Sequence, residues 1–110
     1  MTRVFLVDDH PVFRSGLRKV LEDTGRITVV GEAEDGRQVL LSPHKHLWDV
    51  LVLDVSLPKV NGIEVLRRLR EEVPALKVLV VSMFPEEQYA ARLMVEGAKG
   101  YVSKARPPEE

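Results

Sequence analysis

Three carboxylates in this chain stand at the ends of apolar runs. Asp8 and Asp9 follow Val4-Phe5-Leu6-Val7, and Asp54 follows Val50-Leu51-Val52-Leu53. Ser82 closes Leu79-Val80-Val81, and Lys104 follows Gly100-Tyr101-Val102-Ser103. If these runs are parallel strands of one sheet, the acids, the hydroxyl and the ammonium meet at one edge. Hard divalent cations prefer carboxylate oxygens. A cation bound there would also invert the local field, so that a phosphoryl group could approach. Such a group of side chains makes poor structure and a good site for a metal ion and a phosphoryl group.

Each residue also has a structural explanation. Asp8 or Asp9 could complement the N-terminus of a following helix, although two adjacent acids repel and need only one cap between them. Asp54 is harder to dismiss, because an acid closing a run of Val and Leu loses solvation unless something compensates it. Ser82 could be a turn or cap residue ahead of Pro85 and Glu86, and a lone lysine such as Lys104 is ordinarily solvated. All of these explanations must hold at once at four strand ends, so the joint reading favours a site. His10, His44 and His46 do not resemble a zinc site: the latter two fall in a breaker-rich loop without cysteines, and surface exposure is expected. Neither a glycine-rich phosphate loop nor a nucleophile elbow is present.

The elements that must position these residues follow from periodicity. Thr2 to Val7 reads as a strand buried on both faces. Pro11 suits the first position of a helix whose apolar face is Phe13, Leu17, Val20 and Leu21, closed by Gly25. Ile27 to Val30 reads as a second strand, followed by a polar turn over Glu32–Gly36 and a short helix carrying Val39 and Leu40. Ser42-Pro43-His44-Lys45-His46 breaks that helix, and Val50 to Val55 is the third strand. A turn-rich loop from Leu57 to Gly62 leads into a helix marked by Ile63, Leu66, Leu69 and Val73, which Pro74 ends. Lys77 to Val81 and Gly100 to Ser103 are the last strands. Between them Pro85 opens a helix with Ala90, Leu93, Met94 and Gly97 on one side. Regular alternation of strand and helix implies a parallel sheet with helices on both faces and right-handed crossovers. In such sheets ligands sit outside the carboxyl ends of the strands, where the acids lie.

At 110 residues, 45% hydrophobic, the chain fits one domain with one core. Lys+Arg of 16 against Asp+Glu of 17, with no long run of like charge, argues against a nucleic-acid or membrane-surface role for this segment. The absence of cysteine excludes disulfides and thiol chemistry and permits a cytoplasmic location. No apolar stretch is long enough to span a bilayer.

With these residues placed, the chain resembles a response-regulator receiver (CheY-like) domain of two-component signalling, from Thr2 to about Lys104. The resemblance rests on Asp8-Asp9, on Asp54 with Leu57-Pro58 and Gly62 downstream, on Ser82 and on Lys104. Asp8-Asp9-His10-Pro11, Ser82-Met83 and Gly100-Tyr101-Val102 are similar to the NarL/FixJ subgroup, whose output is a LuxR-type helix-turn-helix domain. The fold this implies is α/β, a doubly wound five-stranded parallel sheet in the flavodoxin-like order 2-1-3-4-5.

The resemblance also implies roles. Asp54 would accept a phosphoryl group from a phosphohistidine of a sensor histidine kinase. Mg²⁺ (or Mn²⁺) would be held by Asp9, Asp54 and the backbone carbonyl of Ser56, with Asp8 acting through water. Lys104 would pair with a phosphoryl oxygen, Ser82 would move in to bond another, and Tyr101 would turn inward with it. The implied activity is that of a cytoplasmic signalling domain with modest phosphotransfer chemistry. It would switch its own C-terminal helix-turn-helix domain, with no direct nucleic-acid contact by this segment and no membrane.

Several positions depart from the family pattern. Ser82 stands where threonine is commoner, and Ala105 stands where many receivers have proline after a cis peptide. Ser56 and Phe84 occupy positions that tune dephosphorylation. Arg106-Pro107-Pro108 and the acids after it resemble a helix start, at the point where the family begins its fifth helix. Residues 1–110 are therefore expected to be a receiver fragment lacking its last helix and output domain, with an apolar patch that promotes self-association. Two other readings stand beside this one. A pseudo-receiver would keep the fold as an interaction module only. A small aspartyl phosphohydrolase would want a second acid just behind its nucleophile, where Val55 and Ser56 follow Asp54.

Overall fold

The structure, a computed structural model, describes residues 1–54, 62–82 and 86–103, with the backbone alone at 62, 82, 86–90 and 103. Among the described residues five strands alternate with four helices: β1 (Thr2–Val7), α1 (Pro11–Glu22), β2 (Ile27–Ala33), α2 (Gly36–Leu41), β3 (Val50–Asp54), α3 (Gly62–Glu72), β4 (Lys77–Ser82), α4 (Glu86–Val95) and β5 (Gly100–Ser103). A short 3₁₀ turn, Lys45–Leu47, fills the breaker-rich stretch before β3. The strands form one parallel sheet in the order β2-β1-β3-β4-β5.

Alternation along the strands divides the core in two. Val4, Leu6, Val52 and Val81 face one side, where Leu17 and Leu21 of α1 pack against them. Val7, Leu51, Leu53, Val78 and Val80 face the other, against Val65, Leu66 and Leu69 of α3 and Leu93 of α4. Val7, Leu51, Leu53 and Val80 are almost wholly buried, as expected of central strands covered on both faces. Phe5 stacks on Trp48 with ring centroids 4.0 Å apart, closing the end of the larger cluster.

Local chemistry explains the helix ends. Pro11 occupies the first turn of α1, where its missing N–H costs nothing. Beyond that helix, the Thr24 hydroxyl donates to the Leu21 carbonyl at 2.8 Å, and Gly25 takes φ of 74°, a left-handed turn that suits glycine. Asp35 caps α2 by accepting from the Gln38 N–H at 3.0 Å.

Three expectations need correction. β2 continues to Ala33 rather than ending at Val30, because β1 keeps pairing with it through Phe5↔Gly31, Leu6↔Glu32 and Val7↔Ala33. A register irregularity opposite Val4 and Phe5 inserts Val30 as an extra residue, so that Val29 and Ala33 fall on opposite faces of the sheet. On α1, Val20 and Phe13 are both exposed. The stripe facing the sheet runs through Leu17 and Leu21 and includes Arg14, whose guanidinium is committed to the strand ends. On α4, Leu93 is buried while Met94 is exposed. The peptide between Lys104 and Ala105 lies outside the described residues.

Candidate functional site

β1 and β3 are adjacent and in register, with Val7 opposite Leu53. The next residue on each chain path is therefore an acid, Asp8 and Asp54, and the two emerge side by side at the carboxyl edge. Asp54 is 1% exposed and Asp8 is nearly as buried, while Asp9 and His10 reach solvent. One ligand atom from each of Asp8, Asp9, His10 and Asp54 falls within 4.8 Å of all the others. Neither acid caps α1. Instead, Asp8 Oδ1 accepts from the His10 backbone N–H at 2.7 Å, a side-chain turn that holds the chain between β1 and α1. His10 itself sits at the N-cap position, and its side chain makes no capping bond.

The imidazole turns toward the acids. His10 Nδ1 lies 3.2 Å from Asp8 Oδ1, 3.1 Å from Asp9 Oδ1 and 3.8 Å from Asp54 Oδ2. The backbone of this turn is tied down from α1 and β2. Arg14 donates through Nη1 to the Asp8 carbonyl and through Nε to Glu32 Oε1 at 2.7 Å, and Arg18 donates to Glu32 as well. Its hydrogen bonds to Glu32 and Glu22 hold the Arg18 guanidinium above its ordinary pKa.

Two buried carboxylates beside a third carry a high desolvation and repulsion cost, which a divalent cation offsets directly. The donor set suits one: three hard carboxylate groups and one imidazole nitrogen.

Of the residues singled out in the sequence, Asp8, Asp9 and Asp54 are brought together. Ser82 ends β4 one residue beyond Val81, the register partner of Asp54, and so lies on the same sheet edge. Tyr101 pairs with Val80 in β5, half-buried against the larger core cluster. Ser56 and Lys104, with Leu57, Pro58, Met83, Phe84 and Ala105, lie outside the described residues. His44 and His46 are exposed, as expected. His10, unlike them, belongs to the acidic cluster. The available signal was its place directly after the acid pair and before Pro11, where the strand-to-helix turn is too short to carry it away.

The family profile of the response regulator receiver domain matches residues 4–110. The chain belongs to the response-regulator receiver family. Response regulator UvrY of Escherichia coli K12 is 36% identical to this receiver over 110 residues, all of this chain and 50% of UvrY. The crystal structure of a LuxR-family two-component response regulator from Aurantimonas sp. SI85-9A1 superposes with a TM-score of 0.89 at 35% identity, covering 100% of this chain and 79% of that one. The isolated receiver domain of RcsB from Salmonella enterica serovar Typhimurium, solved in the presence of the phosphomimetic BeF₃⁻, gives a TM-score of 0.88 at 29% identity over 97% of this chain and 80% of its own. The receiver spans about half the length of the curated relatives it matches. These relatives fit the NarL/FixJ subgroup. Among the described residues no helix of the receiver is long and apolar enough to cross a membrane.

Proposed function

We propose that this receiver is a phosphorylation switch in which Asp54 accepts a phosphoryl group from a phosphohistidine of a sensor kinase. The observation that carries the reading is the buried Asp54 carboxylate at the end of β3, clustered with Asp8 and Asp9. In the transfer, an Asp54 oxygen bonds to phosphorus as the phosphorus–nitrogen bond to the kinase imidazole breaks, leaving an acyl phosphate on Asp54. Such reactions depend chiefly on positioning and on charge stabilisation.

Asp9, Asp54 and the Ser56 carbonyl would hold Mg²⁺ (or Mn²⁺), with Asp8 acting through water. The ion supplies the positive charge that lets an anionic donor approach three carboxylates. Lys104 supplies a second cation, and the Ser82 hydroxyl moves to a phosphoryl oxygen with Tyr101 turning inward behind it. That displacement would bias the surface of α4 and β5 between two states. Its reader would be a C-terminal helix-turn-helix domain in the cytoplasm, so that residues 1–110 serve as the receiver half of a DNA-binding regulator. The LuxR-family relatives and the RcsB receiver solved in the presence of a phosphomimetic support this reading.

The test is intact mass after incubation with a small phosphodonor. One phosphoryl addition is expected, dependent on Mg²⁺ and lost in Asp54→Asn, while Ser82→Ala is labelled but fails to shift the NMR signals of α4 and β5. No addition to the folded chain would leave the pseudo-receiver in its place.

A further inference from the structure

His10 stands where a ligand to the proposed metal ion would stand. Its Nδ1 is 3.1 Å from Asp9 Oδ1 and 3.2 Å from Asp8 Oδ1, and Asp54 Oδ2 is 3.8 Å away. Neighbouring ligands on an octahedral ion with bonds near 2.1 Å are about 3.0 Å apart, so the spacing to Asp9 matches a ligand-to-ligand edge. Two features of the chain keep the ring in this place. The bond from the His10 N–H to Asp8 Oδ1 fixes the backbone beneath it, and Pro11 commits the next residue to α1. The side chain has no capping duty toward that helix. It is 56% exposed, so an ion and its waters can reach the nitrogen.

We propose that His10 sets the metal preference of this pocket, with Nδ1 binding the ion directly. This inference rests on the metal-binding reading above and deepens it. In the proposed complex Nδ1 offers its lone pair to the ion. An all-oxygen pocket suits Mg²⁺, whereas imidazole shifts preference toward first-row transition dications. Asp8, Asp9 and Asp54 supply the charge that either ion needs, and His10 supplies the discrimination between them.

The experiment compares Mg²⁺ and Mn²⁺ binding to the whole chain by calorimetry at one fixed pH, with pulsed EPR of the Mn²⁺-loaded protein. His10→Asn is the variant of choice, because asparagine is a good N-cap and leaves α1 supported. Mn²⁺ affinity is expected to fall about tenfold in His10→Asn while Mg²⁺ affinity stays within about twofold. The parent should show nitrogen coupling to Mn²⁺ that the variant lacks. Absence of nitrogen coupling in the parent, or equal weakening of both ions, overturns the assignment to His10 while leaving the acidic site intact. Failure of either ion to bind the parent, or binding that survives Asp54→Asn with Asp9→Asn, overturns the metal-site reading itself and this inference with it.

Discussion

Arg14 does more for the acidic edge than its place on a surface helix suggests. Its guanidinium holds the Asp8 carbonyl and the Glu32 carboxylate at once, joining α1, β2 and the turn that carries the acid pair. Arg18 braces the same glutamate from one turn further along. The fork geometry matters as well as the charge, since two donors reach two different acceptors. Arg14→Gln is expected to cost about 1–2 kcal/mol in urea denaturation, reduced from the full worth of such bonds by partial exposure. If Arg14 positions the proposed metal ligands, Mg²⁺ affinity should also fall about tenfold, with Arg14→Lys recovering only part of it. A variant that loses stability but binds Mg²⁺ as the parent does would confine Arg14 to a packing role.

Among the elements, the pairing of β1 with β2 decides more than its edge position implies. The inserted Val30 turns Ala33 toward the larger core and places Glu32 beneath Arg14. The register also brings Gly31 against the Phe5 ring, where an added Cβ would lie 2.6 Å from Phe5 Cε2. Gly31→Ala must therefore push the ring out of its stack on Trp48. We expect a loss of about 1–3 kcal/mol, the usual cost of overpacking. A change in the emission of Trp48, the only tryptophan in the chain, should accompany it. Combining Gly31→Ala with Phe5→Leu should recover much of that loss. An unchanged spectrum and midpoint in Gly31→Ala would show that β2 can shift without cost.

For the whole molecule, charge is arranged differently at the two ends of the sheet. The carboxyl edge gathers Asp8, Asp9 and Asp54 in one cluster, and at the opposite edge Arg3 donates to Asp49 through its backbone N–H at 2.8 Å and through its guanidinium at 3.3 Å. These bonds hold the Asp49 carboxyl below its ordinary pKa. A carboxylate with a depressed folded-state pKa adds stability above its unfolded value of about 4, and that contribution fades as the pH falls through the folded value. Asp49→Asn should therefore be less stable than the parent at about pH 7, and the gap should narrow as the pH falls below about 4. Urea midpoints at the two pH values check this, and a gap of constant size would show that the pair does not govern acid sensitivity. The Lys45–Glu72 and Arg67–Glu96 pairs lower their glutamates in the same sense and add to the parent's own decline in acid.

The sequence by itself determined the alternation of strands and helices, the parallel sheet and the meeting of Asp8, Asp9 and Asp54. Unbroken apolar runs demand burial on both faces, and a period of two assigns each side chain to a side. An acid directly after such a run can only leave at the strand end. What the tertiary structure decided were matters of register and of competing partners. The length of β2 depended on how far β1 would pair with it, and no local pattern reveals the residue that the irregularity inserts. Val20 looked apolar enough for the core, yet the rotation of α1 followed Arg14, which found Glu32 and the Asp8 carbonyl. His10 lies beside Asp8 and Asp9 in sequence, but it reaches Asp54 only because β1 and β3 pair, a contact between distant segments that no local pattern reveals.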